Sequence, residues 1–434
     1  MPAANVDPER EPALHHLLRR QPNRAPVLFS NAMTTITLGE EPACPGPSGL
    51  EEATPTATST KRPVRVVQRP FGDVSREAWD RLVTANPWAT PFSGWAFQRA
   101  WWDAYGASAH DQTLTVVDGE SGELVAIVPL MHRHEVEPND ADTHTKMRQG
   151  HPATMTPVPP TAKAIFFGAS YHADYATILA KPADMPIVAD AVAAHLAGSA
   201  NEAELHPDPW DVVDLRRLRC GDPAAEALAE AFGRREIAND WTLNVEREDV
   251  CPVLSLPVGG TFDDYLGTLG KKDRHEIRRK LRRAENHGEV RLIDSTDPLV
   301  DLDTFAEFHQ GKWGDRGLFP ASPGGDASRK FFRRLFEEHG SDGVLRLSFL
   351  TVGERRIAAG VHFRTPDGYL YYNGGVDLDA RELSPGVLMV AAYIQRAISE
   401  GCRRFDFLRG DEPYKYEWGA VDEPIQRILV RRDA

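Results

Sequence analysis

The greatest density of groups able to do chemistry lies between Tyr369 and Trp418. Ser384-Pro385-Gly386 stand where a helix should begin, with serine as a suitable N-cap and proline at the first helical position. The unpaired N–H groups of such a helix start, together with its positive dipole end, suit an anion or a phosphate. Asp406, Asp411 and Glu412 follow at or just past a strand end beside that terminus, with Arg409, Tyr414 and Lys415 among them. A carboxylate can take a proton, a tyrosine can give one, and Arg or Lys can hold phosphate through charge-assisted hydrogen bonds. Each group also has a plainer role. Asp406 alternates with Phe405 and Phe407, so it is either a site carboxylate or the partner of an arginine. Arg409 and Lys415 either hold phosphates or pair with Asp411, Glu412 or Glu417, and Tyr414 is either a proton donor or a half-buried packing residue.

Two further groupings stand upstream. His309 and Trp313 are four residues apart in a helical pattern and share a face. The histidine can serve as a base near neutral pH or simply fill a partly buried face. Between Lys271 and Arg283 there are eight Lys or Arg residues, Arg278 and Arg282 among them, against Asp273 and Glu276. Ile277, Leu281 and Ala284 give this helix a narrow apolar stripe and leave the rest cationic, a surface for phosphates or a solvated face. His132, His134, His144 and His151 match no zinc spacing and are expected to be ordinary surface histidines.

The elements that must position these groups can be read from periodicity. A short aromatic strand, Tyr369 to Tyr372, is expected to stop at Asn373-Gly374-Gly375. Val387, Leu388, Val390, Ala391, Ile394 and Ala397 recur at helical intervals up to Gly401, and Arg403 to Leu408 read as a strand. Strand, loop, helix and strand make a crossover unit. Before it, residues 344–350 and 356–363 form a hairpin, preceded by helices at 261–269, 274–287, 299–313 and 328–339 and a strand at 290–293. The first half has the same order: helices at 75–82 and 95–105, a hairpin of 113–117 and 124–130, then strands at 164–167, 175–180, 210–215 and 241–245 with helices at 186–197 and 224–232. This repetition predicts a duplicated α/β domain, residues 63–250 and then 251–434.

Residues 1–62 are rich in Pro, Ser, Thr and Ala and are expected to be a disordered tail, and 133–160 an exposed loop or lid. Net charge −14 argues against general nucleic-acid binding. The four cysteines form no CxxC pair, so neither a disulfide framework nor a zinc site is expected. No apolar run is long enough for a membrane span, and no signal sequence is evident, so a cytoplasmic location is expected.

The segments KKDRHEIRRKLRRAENHG, FHQGKWGDRGLF, RIAAGVHF, SPGVLMVAAYIQRAISEG and FDFLRGDEPYKYEW resemble the CelD-like, FemAB-related branch of the GNAT superfamily of acyltransferases. ANPWATPFSGWAFQRAWWDAYG, LVAIVPLM, FFGASYHADY and DVVDL extend the resemblance, more diffusely, into the first half. It implies tandem GNAT-like domains, each a mixed, mostly antiparallel sheet flanked by helices. It also implies transfer of an acyl or aminoacyl group onto an amine of a small molecule, sugar or cell-envelope precursor. The anionic donor would be acetyl-CoA or another acyl-CoA, with aminoacyl-tRNA as the alternative and no metal. The usual glycine-bearing pyrophosphate loop is replaced here by Glu382-Leu383-Ser384-Pro385-Gly386. On this resemblance Asp406, Glu412, Tyr414 and His309 are assigned to catalysis. Ser384, Pro385, Gly386, Arg409 and Lys415 are assigned to the donor, and Trp313, Tyr372, Arg278 and Arg282 to the substrate. A binding protein that kept the fold without the chemistry is the third possibility.

Overall fold

A computed structural model describes residues 63–133, 155–159, 161–201, 209–314, 317–321, 323–340 and 342–432, the side chains of 133 and 199–201 excepted. The expected tail at 1–62, most of the 133–160 loop, and His134, His144 and His151 lie outside the described residues.

The first half runs β1 (Val64–Gln68), α1 (Arg76–Ala85), α2 (Trp95–Tyr105), β2 (His110–Asp111), β3 (Leu114–Asp118), β4 (Leu124–Val128), β5 (Leu130–Arg133), β6 (Ala164–Phe167), α3 (Met185–Asn201), β7 (Val212–Arg219), α4 (Pro223–Gly233), α5 (Glu236–Asn239) and β8 (Trp241–Ser255). The second half runs α6 (Phe262–Thr268), α7 (Lys271–Glu285), β9 (Val290–Asp294), α8 (Pro298–Trp313), α9 (Pro323–His339), β10 (Leu345–Val352), β11 (Arg355–Arg364), β12 (Gly368–Val376), α10 (Pro385–Ser399), β13 (Arg404–Asp406), α11 (Pro413–Glu417) and β14 (Val421–Arg432).

Two sheets result. β1, β3 and β4 form a small antiparallel one. The other eleven strands form a single sheet in the order β2-β5-β6-β7-β14-β8-β13-β12-β11-β10-β9. Its pairings are antiparallel except β6 with β7 and β12 with β13, one parallel pair in each half. The fold class is therefore the expected one: mixed, mostly antiparallel α/β halves in tandem, each with a crossover unit. The 250/251 boundary falls inside β8, whose first part pairs with β14 and whose last residues, Val253 to Ser255, pair with β13.

Several local expectations need correction. Residues 175–180 are not a strand but make two isolated bridges, Ala176 to Leu218 and Leu179 to Ile127. β12 does not stop at Asn373; it runs through Gly374 and Gly375 to Val376, because those glycines pair with Gly360 and Ala359 of β11. Ser384 is no N-cap. Its backbone is left-handed (φ 58°), which turns the side chain away from the helix start, and its Oγ accepts from Arg283 Nη2 instead at 2.8 Å. Cys251 and Cys402 are free and buried.

Helix α10 is held by its apolar surface. Leu388, Met389, Val390, Ala391, Ile394 and Ala397 are all buried in one core with Leu350, Ala358, Tyr369 and Phe405. Burying one such Leu or Ile contributes about 2 kcal/mol. α7 lies on the same side, with Ile277 and Ala284 buried in that core and its charges outward. α8 and α9 pack on the other side, through Phe305, Phe331 and Phe332, in a core shared with Phe92, Phe97 and Trp101 of the first half. Among the described residues no helix is long and apolar enough to cross a membrane.

Candidate functional site

β12 and β13 are paired only from Gly368 to Leu370 against Arg404 to Asp406. Beyond that point they diverge, so Tyr371 to Val376 make no ladder with β13. A pocket of about 190 Å³ opens in this gap. β12 contributes Tyr371, Gly374, Gly375 and Val376. The first turn of α10 contributes Gly386 and Val387, α7 contributes Asp273, Glu276 and Lys280, α8 contributes Lys312, and α11 contributes Tyr414 and Glu417. A Cβ placed on Gly386 would meet nothing within 4 Å, so the helix start faces open space. The N–H groups of Val387 and Leu388 both turn back to the carbonyl of Ser384. Gly386 is thus the first-turn residue at the pocket whose N–H does not turn back to Ser384.

The charges around the pocket are mixed. Glu276 is clasped by Arg279 at 2.7 Å and lies 3.4 Å from Lys280, and the bond from Arg279 holds its carboxyl down at about 2. Lys312 Nζ lies 4.7 Å from the centre of the Trp313 ring, and crowding by the protein lowers its pKa, opposed by the charge of Glu412. Desolvation raises the Tyr414 phenol well above its ordinary value, helped by Tyr371 and Glu412. At neutral pH the hydroxyl is a proton donor.

The loop leading into α11 is built by two buried charges. Asp406 is 1% exposed. Its Oδ2 accepts from Tyr175 Oη at 2.8 Å, its Oδ1 accepts from the backbone N–H of Leu408 at 2.8 Å, and Arg404 lies at 3.5 Å. Burial raises its pKa, and Arg404 opposes this. Lys415 is 2% exposed, and its Nζ donates to the carbonyls of Leu408, Arg409 and Gly410 at 3.0, 2.9 and 2.9 Å. Glu412 adds a carboxylate at 2.9 Å. The loop takes a shape that needs such pinning, since Leu408 (φ 59°) and Gly410 (φ 106°) are both left-handed.

The sequence-assigned residues are therefore divided in space. Gly386 and Tyr414 line the pocket. Pro385 starts α10 as expected, and Ser384 is held by Arg283 behind it. Asp406 in β13 and Lys415 in α11 act as builders of the site, the Lys415 ammonium being taken up by three loop carbonyls and Glu412. Arg409 reaches the first half, where its Nε lies 3.3 Å from Asp174. Glu412 is partly exposed above Lys415. Arg278 pairs with Asp263 at 2.8 Å, and Arg282 is exposed; neither lines the pocket.

Tyr372 points to the opposite sheet face from Tyr371 and donates to the carbonyl of His172 at 2.9 Å. His309 is 3% exposed, packed edge-on to Phe319 at 5.3 Å. Burial, then Lys312, push its pKa down to about 4, opposed by a bond to Asn373, and its Nδ1 has no partner. Trp313 is half-exposed beneath Lys312.

Lys312, Tyr371 and Glu417 line the pocket but are not assigned to the site from the sequence. Strand alternation from the buried Tyr369 marks Tyr371 as its same-face neighbour, and His309 spacing marks Lys312 as one turn on. Glu417 carries no local signal. Among the described residues no group of three or more His, Cys, Asp or Glu is placed to hold a metal ion.

Residues 271–416 match the family model described as an acetyltransferase (GNAT) domain. No curated protein matches the chain. Among solved structures, the chain is similar to FemX at 11% identity and TM-score 0.50, over 81% of this chain and 96% of that one. It is also similar to a conserved protein of unknown function from Bacteroides thetaiotaomicron (12%, TM-score 0.48, 83% and 98%). A third is a tandem GNAT protein from the clavulanic acid biosynthesis pathway (11%, TM-score 0.43, 86% and 99%). At this identity the FemX likeness concerns the fold.

Proposed function

We propose that this chain, whose residues 271–416 match an acetyltransferase (GNAT) domain, is an N-acyltransferase that takes acyl-CoA in the gap between β12 and β13. One observation carries this reading: the gap is open, and the start of α10, the cationic helix α7 and an unpaired strand edge all border it. An extended amide-bearing arm can pair with the free edge at Tyr371 to Val376 as an added strand would. The donor's phosphates suit the Gly386 end, where the helix dipole, Lys280 and nearby Arg283 are positive. Lys312 and Tyr414 also line the pocket, with the Glu412 carboxylate acting on both, and offer a place for an amine to arrive.

The chemistry asks little of the protein. The amine nitrogen attacks the thioester carbonyl, its extra proton leaves to a base, and the thiolate departs with a proton. Holding the two reactants in line supplies much of the rate. Tyr414 donates the proton to the leaving sulfur, and Glu412, directly or through water, takes the proton from the amine. The neutral side chain of His309 is walled in by Phe305 and Phe319 and supports α8 rather than touching the acceptor.

Calorimetric titration of the whole chain with acetyl-CoA tests the reading, with aminoacyl-tRNA titrated in parallel. Binding of acetyl-CoA supports it. Binding of aminoacyl-tRNA alone would transfer the site to an aminoacyl donor, for which the exposed residues Lys271, Lys272 and Arg282 of α7 offer a cationic track. Binding of neither would leave a fold without this chemistry.

A further inference from the structure

The two halves carry the same crossover unit, but only one of them is open. In the first half β6 pairs with β7 from Ala164 to Phe166, just as β12 pairs with β13, and the two strands then part. The chain re-enters that gap at once. Ala176 bridges Leu218 and its N–H donates to the Arg217 carbonyl at 2.9 Å, while Leu179 exchanges both backbone bonds with Ile127 at 2.9 and 3.0 Å. Thr177, Ile178, Leu179 and Ala180 are each no more than 1% exposed. The place that would receive a donor in this half is filled with the protein's own backbone.

The same segment then reaches across to the open half. Tyr175 Oη donates to Asp406, Asp174 faces Arg409, and the carbonyl of His172 accepts from Tyr372 Oη. The ring of His172 stacks on Phe331 of α9 at 4.3 Å, and its Nε2 lies 2.7 Å from Tyr105 Oη, which also contacts Ser328 at 2.9 Å. Asp406 receives the Tyr175 bond on one oxygen and fixes the Leu408 N–H with the other. Leu408 opens the loop whose carbonyls hold Lys415, and Lys415 lies in the helix that presents Tyr414 and Glu417 to the pocket.

We infer that residues 168–180 are a strap that closes the first half to any donor and positions the 408–418 segment of the second half through Tyr175 and Asp406. Tyr175 is accordingly a positioning residue. The chain takes one donor molecule, and the first half serves the pocket rather than duplicating it. This rests on the donor reading above only for the identity of the ligand counted.

Two measurements on the intact chain test it. Hydrogen exchange compares the protein with Tyr175→Phe, which keeps the ring and removes only the hydroxyl, and with Asp174→Asn as a second, independent release of the strap. Amides of Leu408 to Trp418 should exchange about tenfold faster, the scale of one net hydrogen bond, while those of β10 and β11 keep their rates. Unchanged exchange at 408–418, or an equal rise throughout the sheet, overturns the positioning role. Calorimetry with acetyl-CoA should give one site per chain, and two sites overturn the closure. If the intact chain binds no acetyl-CoA while the exchange result is as expected, the donor assignment fails and the strap stands.

Discussion

The Nζ of Lys415 lies 3.0 Å from the carbonyl oxygen of Leu408, with the carbonyls of Arg409 and Gly410 at equal reach. A lysine that would serve as a phosphate clamp is thereby the keystone of a backbone loop. Its role is conformational, and the cost of losing it falls on folding before it falls on affinity.

Lys415→Met should destabilise the protein by about 3 kcal/mol, because three carbonyls around a buried lysine lose a charged donor at once. Urea denaturation measures this directly. A variant of unchanged stability but weakened donor binding would return Lys415 to the role of a ligand-holding cation.

Tyr414→Phe should keep donor affinity within twofold and lower turnover roughly a hundredfold, the low end of general-acid contributions. Thiol release from acetyl-CoA, with a screened amine as acceptor, reads the effect. Equal losses in affinity and turnover would place the hydroxyl in binding instead.

His309 should make stability fall on acidification. Its pKa drops from 6.5 unfolded to about 4 folded, so the unfolded chain takes the proton first. The stability is complete above pH 6.5 and is lost as pH falls through about 4. Between pH 7 and 5 this group alone accounts for about 2 kcal/mol. Buried His172 and His362, both pushed down to about 3 by burial, add to the same slope. Urea denaturation at several pH values should show a shallower decline in His309→Gln than in the parent chain.

Gly375→Ala should destabilise by about 1–3 kcal/mol, since a methyl there collides with the backbone of Phe308 and His309. Gly386→Ala, with nothing within 4 Å, should be neutral or stabilising by up to about 1 kcal/mol. Thermal melts of the two variants provide the comparison.

Much of the architecture was readable from local pattern, and the limits have physical causes. α10 announced itself because its apolar residues recur every three or four positions and Pro385 and Gly401 bracket them. β14 did not. It is a central strand, yet it carries Glu423 and the buried Arg427, whose guanidinium is satisfied by Asp214 of β7 at 2.6 Å. A charge neutralised by a distant strand looks, locally, like a solvent-facing one. Tyr371 and Tyr372 are equivalent in composition, and only the buried Tyr369 and the pairing of β12 decide which faces the pocket. From its alternation with Phe405 and Phe407, Asp406 reads equally as a site carboxylate or an arginine partner. It has Arg404 at 3.5 Å, but its closer contact is Tyr175, 231 residues away, which no sequence spacing reveals.

The account turns on the gap between β12 and β13 being a donor site. Calorimetric titration with acetyl-CoA of the parent chain and of Gly386→Phe, whose ring would occupy the mouth of the pocket, tests this most directly. The account predicts saturable binding by the parent, weakened at least about tenfold by the substitution, roughly 1.4 kcal/mol. No binding by the parent, or equal binding by both, would contradict it.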